Sequence, residues 1–252
     1  MARALVTGAS SGIGESYARH LAGQGFDLVL AARRGDRLDV IADELRRLHG
    51  VSVDRVVVDL SLASGVASLI EASVGVEVIV ANAGSTIAGR AGTVPWDELA
   101  RLSCLVGTGV AQLCDGLVPA MVERGKGRVA VIASIGAMVP MPKSAIYAAG
   151  KSYAVAYARS LNAETADRGV RVCAVCPGYV RTELHQRAGL DHLRRRVPRW
   201  MWLEPEQVVS AAEAGLDRNR SVVVPGLVYR VARPFLQSST AMSTWQRLTR
   251  RR

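Results

Sequence analysis

Thirteen residues after Ser134 comes Tyr147-Ala148-Ala149-Gly150-Lys151, a phenol and an ammonium four positions apart. On a helix such a pair shares one face. A nearby ammonium favours the phenolate and draws a Tyr pKa down from its reference of about 10, with each unit worth about 1.36 kcal/mol. A Tyr tuned in this way can give or take the proton that accompanies hydride transfer at a carbonyl or alcohol carbon. Ser134 closes the apolar run Val129–Ala133, and a hydroxyl at the C-terminal end of a strand, where ligands of open α/β sheets bind, can hold the reacting oxygen. Tyr-x-x-x-Lys arises often by chance. Its weight here comes from lying one strand-to-helix step after Ser134.

A second group of residues points to a dinucleotide. The run Ala4–Val6 leads into Thr7-Gly8-Ala9-Ser10-Ser11-Gly12-Ile13-Gly14 and then into helical spacing. Missing side chains let backbone approach a pyrophosphate, and a helix N-terminus offers unpaired N–H donors with a partial positive charge. The spacing is Gly-x-x-x-Gly-x-Gly, and the plain alternative is a tight turn that binds nothing. A site for NAD(H) wants an acid at the end of the second strand, roughly 20 residues on, to hold the ribose 2′-hydroxyl. This chain has Ala32-Arg33-Arg34-Gly35-Asp36 there. Arg33 and Arg34 suit a 2′-phosphate that a carboxylate would repel, so NADP(H) is expected over NAD(H). The alternative is an exposed basic turn. Asp36 comes too late to replace the acid and reads as a helix N-cap.

These groups need a scaffold. Apolar, β-branched runs at Ala4–Val6, Leu28–Ala31, Val53–Val58, Val76–Val80, Val129–Ala133, Val170–Val175 and Val222–Val224 alternate with helical spacing at Ile13–Leu21, Asp36–Leu48, Leu62–Ser73, Trp96–Arg124, Tyr147–Arg168 and Glu206–Leu216. Seven strands separated by helices predict repeated βαβ units. The fold class is therefore α/β, a single-domain, doubly wound parallel sheet with helices on both faces, and the strands are expected to be apolar on both faces. No linker or repeat divides residues 1–252. The longest irregular stretch is Gly178–Leu203.

Hydrophobic residues at 49% and charged residues at 21% exclude disordered, collagenous and disulfide-scaffold classes. The net charge is +10, and only Lys126, Lys143 and Lys151 among the 32 basic residues are not Arg. Basic clusters attract phosphate. No nucleic-acid module surrounds Arg194–Arg196 or Arg250–Arg252, however, and two Phe in the chain make no stacking platform, so no nucleic-acid partner is expected. The amino terminus does not read as a secretory signal, and no window has the 18 or so uncharged apolar residues of a spanning helix. A cytoplasmic protein is expected, with a peripheral membrane contact by the basic segment 226–252 as one option and an oligomer contact or disorder as the others. Cys104, Cys114, Cys173 and Cys176 fit a reducing compartment, and strand alternation sends Cys173 and Cys176 to opposite faces, as buried thiols rather than a metal or redox pair. No metal site is read.

Over essentially its whole length the chain resembles the short-chain dehydrogenase/reductase family. Thr7–Gly14 matches that family's cofactor loop, Asp59-Leu60 its adenine contact, Asn82-Ala83-Gly84 its Asn-Ala-Gly element, and Pro177-Gly178 with Val180 and Thr182 its nicotinamide-carboxamide segment. The resemblance implies a Rossmann fold, an NADP(H)-dependent oxidoreductase of carbonyls and secondary alcohols, Tyr147 as acid/base, Lys151 on the nicotinamide ribose lowering the Tyr147 pKa, and Ser134 on the substrate oxygen. It also implies a homodimer or homotetramer. Residues 1–178 would form the cofactor-binding and catalytic core, 179–203 a substrate lid and 226–252 a basic extension. Leu184, Leu190, Leu193, Trp200, Met201 and Trp202 either make that lid suit a bulky apolar substrate or pack on the body of the fold, and Arg194–Arg196 either receive an acidic head group or stay solvated. Two positions depart from the family. Ala81 stands where many relatives have a second Asn, and Val106, or Cys104 in a shifted alignment, stands where the family has an Asn in a proton relay to Lys. That second departure leaves a nucleotide-binding scaffold or redox sensor with weak turnover as the alternative.

Overall fold

The computed structural model describes residues 2–183 and 197–236, the side chains of 233–236 excepted. Leu184, Leu190, Leu193, Arg194–Arg196 and the tail from Gln237 to Arg252 lie outside the described residues. Seven parallel strands are present: β1 (Arg3–Thr7), β2 (Asp27–Ala32), β3 (Val53–Val57), β4 (Val78–Ala81), β5 (Gly127–Ile132), β6 (Val170–Val175) and β7 (Val222–Val223). They run in the order β3-β2-β1-β4-β5-β6-β7. The helices are α1 (Gly12–Gly23), α2 (Gly35–His49), α3 (Ala63–Ala72), α4 (Trp96–Ser103), α5 (Gly109–Glu123), α6 (Ala145–Thr165), α7 (Pro205–Asp217) and α8 (Leu227–Leu236).

Alternation along the strands divides the core in two. Ala4, Val6, Leu28, Leu30, Val80 and Ala130 face Tyr17, Leu21, Leu38, Leu45, Val208 and Leu216 of α1, α2 and α7. Leu5, Val29, Ile79, Val129 and Val172 face Leu69, Leu113, Leu117, Ala154 and Ala158 of α3, α5 and α6. Burial on both faces is why these strands read as unbroken apolar runs. β3 departs from that expectation, because Asp54, Arg55 and Val57 are exposed on an edge strand with one neighbour. The Cys173/Cys176 expectation also needs correction. The alternation stops at Val175, so both thiols enter the same core, and both are fully buried.

Two helical expectations change. Asp36 is not an N-cap, since α2 already starts at Gly35 with Arg34 as its cap residue. The single helix expected over Trp96–Arg124 is two helices joined by a π-helical turn at Cys104–Thr108. That segment is long and apolar enough to cross a bilayer by composition. Its apolar face is nevertheless taken up by the core, with Val106, Leu113, Cys114, Leu117 and Met121 buried. At the other end of the chain, α8 turns Leu227 and Val231 to solvent and Tyr229 inward.

Candidate active site

The strand order reverses between β1 and β4, so the loops after these two strands part and leave a crevice at their C-terminal ends. A cleft of about 650 Å³ lies there. It is lined by Gly8 and Ser10–Ile13 of the glycine loop, by Arg33 and Arg34, Asp59-Leu60 and Asn82–Gly84, by Ser134, Tyr147 and Lys151, and by Pro177–Val180 with Thr182, whereas Thr7, Ala9 and Gly14 of the loop do not line it. Gly14 lies beneath the loop. A Cβ there would stand 2.3 Å from the Gly8 carbonyl oxygen and 2.5 Å from Asn82 Nδ2, so only glycine lets α1 start this close under the turn. At Gly12 (φ +59°) a Cβ would meet Thr182 Cγ2 at 2.7 Å. The bare backbone cradle at a helix N-terminus is what a pyrophosphate requires, and the residues present fit a dinucleotide.

Asn82 supports that cradle from below. Its Nδ2 donates to Thr7 O at 2.9 Å, and Thr7 Oγ1 accepts the backbone N–H of Asn82 and Ala83 at 2.9 Å each. At the far end burial acts to raise the Asp59 carboxyl, but hydrogen bonds from Ser61 and the charges of Arg33 and Arg101 hold it below the usual carboxylate range. Arg33 is exposed on the cleft wall. Arg34 turns to Ser10, with Nη2 donating to its carbonyl and to its Oγ at 2.9 Å each.

At the other end of the cleft, Ser134 Oγ accepts the Gly136 N–H at 3.0 Å, which leaves the hydroxyl proton to be donated. Burial pushes the Tyr147 phenol above its ordinary value, and a hydrogen bond from Ser134 offsets part of the rise. The net shift is thus upward, where a lowering by Lys151 was expected, and the partial offset comes from Ser134. Lys151 is itself buried, its Nζ donates to Ile132 O at 2.7 Å, and burial takes its pKa down to about 8. An ammonium desolvated this strongly is in part neutral near that pH and offers the phenol less than a full charge.

A depressed lysine has a stability signature. Its contribution is fully present above the ordinary value of 10.5 and is lost as pH falls through about 8, where the buried amine must take up a proton. Urea midpoints of the chain should therefore rise relative to those of Lys151→Met between about pH 8 and 10.5. Curves that stay parallel would show that the amine is not desolvated.

The Asn departure is placed by the π-helical turn. Val106 is fully buried, and a Cβ on Gly150, the residue before Lys151, would stand 2.6 Å from its Cγ2. Cys104 points elsewhere, its Sγ 3.8 Å from Leu60 O. Val106 thus packs against α6 at Gly150, one residue before Lys151. π-helical turns inside helices frequently mark functional sites, and this one lies against α6 without the Asn.

Sequence reasoning missed the wall next to Tyr147. A Cβ on Gly136 would stand 3.3 Å from Ser134 Oγ and 2.5 Å from Met141 Sδ, so this glycine lets the Met pack beside the serine. Leu105, Ile135, Val139, Met141 and Tyr179 also line the cleft. Tyr229 was missed as well. Its ring lies over Gly178, its Oη accepts the Tyr179 N–H at 3.1 Å, and it donates to Met201 O at 2.6 Å, so α8 fastens the Pro177–Thr182 loop. Of the two tryptophans, Trp202 packs on the body, 9% exposed and 5.4 Å from the Tyr179 ring, whereas Trp200 is 67% exposed. Trp202 is thus buried against Tyr179 within the segment 179–203, and Trp200 is open to solvent.

A glycine cradle at the switch point of a parallel sheet, sharing its cleft with a Ser, a Tyr and a Lys, defines a dinucleotide-binding Rossmann protein. The short chain dehydrogenase family profile matches residues 2–192. An uncharacterized oxidoreductase of Myxococcus xanthus is 34% identical over 185 residues, 72% of this chain and 73% of that one. A very-long-chain 3-oxoacyl-CoA reductase of Anas platyrhynchos is 31% identical over 188 residues, 72% of this chain but only 60% of that longer one. Among solved structures, a short-chain dehydrogenase from Sphingobium yanoikuyae in complex with NADPH matches with a TM-score of 0.83 and 31% identity, covering 100% of this chain and 97% of that one. A bulky-bulky ketone specific alcohol dehydrogenase from Comamonas testosteroni matches with a TM-score of 0.80 and 27% identity over 100% and 95%. The chain belongs to the short-chain dehydrogenase/reductase family, whose oxidoreductases act on CH–OH and C=O groups with NAD(P).

Proposed function

We propose that the chain is an NADP(H)-dependent oxidoreductase, a single domain that interconverts a carbonyl and a secondary alcohol on a lipophilic substrate. The observation that carries this reading is the convergence of Ser134, Tyr147 and Lys151 on the cleft that the glycine cradle opens into. When bound, the nicotinamide supplies or accepts the hydride. Ser134 would turn its hydroxyl proton from Tyr147 to the substrate oxygen, and Tyr147, protonated at neutral pH because burial raises its pKa, would deliver a proton to that oxygen during reduction. Lys151 would hold the nicotinamide ribose and Arg33 would pair with the 2′-phosphate, both lining the same cleft.

Leu105, Ile135, Val139 and Met141 line the cleft beside the hydroxyls of Ser85, Thr86 and Ser144, and this mainly apolar wall favours an apolar ketone over an acid. A homodimer or homotetramer is the assembly the family implies. The test is NADPH oxidation against 3-oxoacyl thioesters, ketosteroids, quinones and short aldehydes. Turnover is expected with at least one bulky ketone, and Arg33→Asp should shift kcat/KM towards NADH by tenfold or more, about 1.4 kcal/mol. The burial of Val106 where the relay Asn belongs favours a second reading, a nucleotide-binding scaffold with weak turnover. Tight NADPH binding with a flat response across all four substrate classes would select it.

A further inference from the structure

Glu183 is the last described residue before segment 184–196, and its carboxylate lies against the arginines of the nucleotide cleft. Arg34 has donors on both sides: Nε and Nη2 reach Ser10 Oγ at 3.2 and 2.9 Å, and Nη1 reaches Glu183 Oε2 at 3.1 Å. Arg37 Nη2 stands 3.8 Å from the other oxygen, Glu183 Oε1. One residue earlier, Thr182 packs its methyl against Gly12. The glycine cradle, the end of β2 and the chain just after Thr182 are thus tied together at one carboxylate. Arg33 differs, because among the described residues no carboxylate lies within 4 Å of its guanidinium.

The arrangement puts an acid of the chain where an anion of the cofactor would go. Both partners are partly open to water, the Arg34 side chain 32% and the Glu183 side chain 41% exposed. Ion pairs this exposed are weak, whereas a phosphate brings a charge of about −1.5 to −2 and three acceptor oxygens that suit a guanidinium fork. We propose that Glu183 is a built-in competitor for the 2′-phosphate: it occupies Arg34 and Arg37 until the phosphate displaces it, and it thereby limits how strongly the chain prefers NADP(H) over NAD(H). The inference rests on the nucleotide-site reading above and adds a specificity-determining residue outside the cradle and the β2 end. A cofactor without the 2′-phosphate has nothing to exchange for Glu183, so the effect belongs to the phosphate alone.

Glu183→Gln keeps the side chain's shape and removes its charge. Calorimetric titration of the full chain with 2′,5′-ADP and with 5′-AMP reads the exchange without any turnover, and NADPH and NADH quenching of Trp fluorescence extends it to the whole cofactor. The expected result is about fivefold tighter binding of 2′,5′-ADP and NADPH, with 5′-AMP and NADH changed less than twofold. Unchanged or weaker 2′,5′-ADP binding overturns the competitor role, and so does equal tightening of 5′-AMP, which would reduce it to a general field effect. A wild-type chain that binds neither NADPH nor 2′,5′-ADP overturns the nucleotide reading itself, an outcome distinct from a wild type that binds and a variant that does not differ from it.

Discussion

Tyr147→Phe should lower kcat by about 10²- to 10⁴-fold, the usual contribution of a positioned acid or base, while leaving NADPH affinity within about twofold. The phenylalanine ring keeps the packing of the tyrosine against the cleft wall, so the only change is one hydroxyl. That hydroxyl accepts the hydrogen bond from Ser134, and burial holds its pKa above the ordinary value. The direction of that shift matters for the reaction. A phenol that stays protonated through neutral pH is ready to give a proton to a carbonyl oxygen, so reduction should run at full rate near neutrality. Alcohol oxidation needs the phenolate and should gain rate as pH rises towards the Tyr pKa. Single-turnover rates in both directions between pH 6 and 10 would show this asymmetry. A variant that keeps a tenth or more of the wild-type rate would sink the acid/base role.

Gly14→Ala should weaken NADPH binding roughly ten- to a hundredfold, taking overpacking at about 1–3 kcal/mol and 1.36 kcal/mol per decade. The added methyl has nowhere to go. It would meet the Gly8 carbonyl at 2.3 Å, and Gly8 is held by its left-handed backbone (φ +65°) and by the Asn82 amide, which stands 3.4 Å from that same oxygen. Relief requires the loop to lift away from α1, which moves the N–H groups that make the cradle. Gly23→Ala at the far end of α1 is the control, because its Cβ would meet nothing nearer than 3.8 Å. There the helix preference for Ala over Gly, about 0.5–1 kcal/mol, should raise stability slightly and leave binding alone. Equal affinities in Gly14→Ala and Gly23→Ala would show that the close approach under the loop does not shape the site.

The outline of this protein was legible because its signals are local. The parallel sheet follows from seven apolar runs spaced by helices, and each strand's alternation between two cores is a property of consecutive residues. The cradle was legible because three glycines within seven residues follow a strand directly. Tyr147 and Lys151 were legible because a helix puts positions four apart on one face. Edge effects were less so. β3 reads as apolar, yet Asp54 and Arg55 sit in water because no strand pairs beyond it.

What the sequence by itself determined is the class of the fold, the position of the glycine cradle and the candidacy of Ser134, Tyr147 and Lys151, which share its cleft. Tertiary structure alone decided their electrostatics and their neighbours. Desolvation, a sum over everything packed around a group, reversed the expected shift of Tyr147 and brought Lys151 down to about 8. Arg33 and Arg34 look equivalent as neighbours in the chain, but Glu183, 149 residues away from Arg34, separates their roles. Tyr229 fastens a loop 50 residues before it, and Val106 reaches Lys151's helix because a π-helical turn sets its angle. Such contacts depend on the path of the whole chain, and no local spacing encodes them.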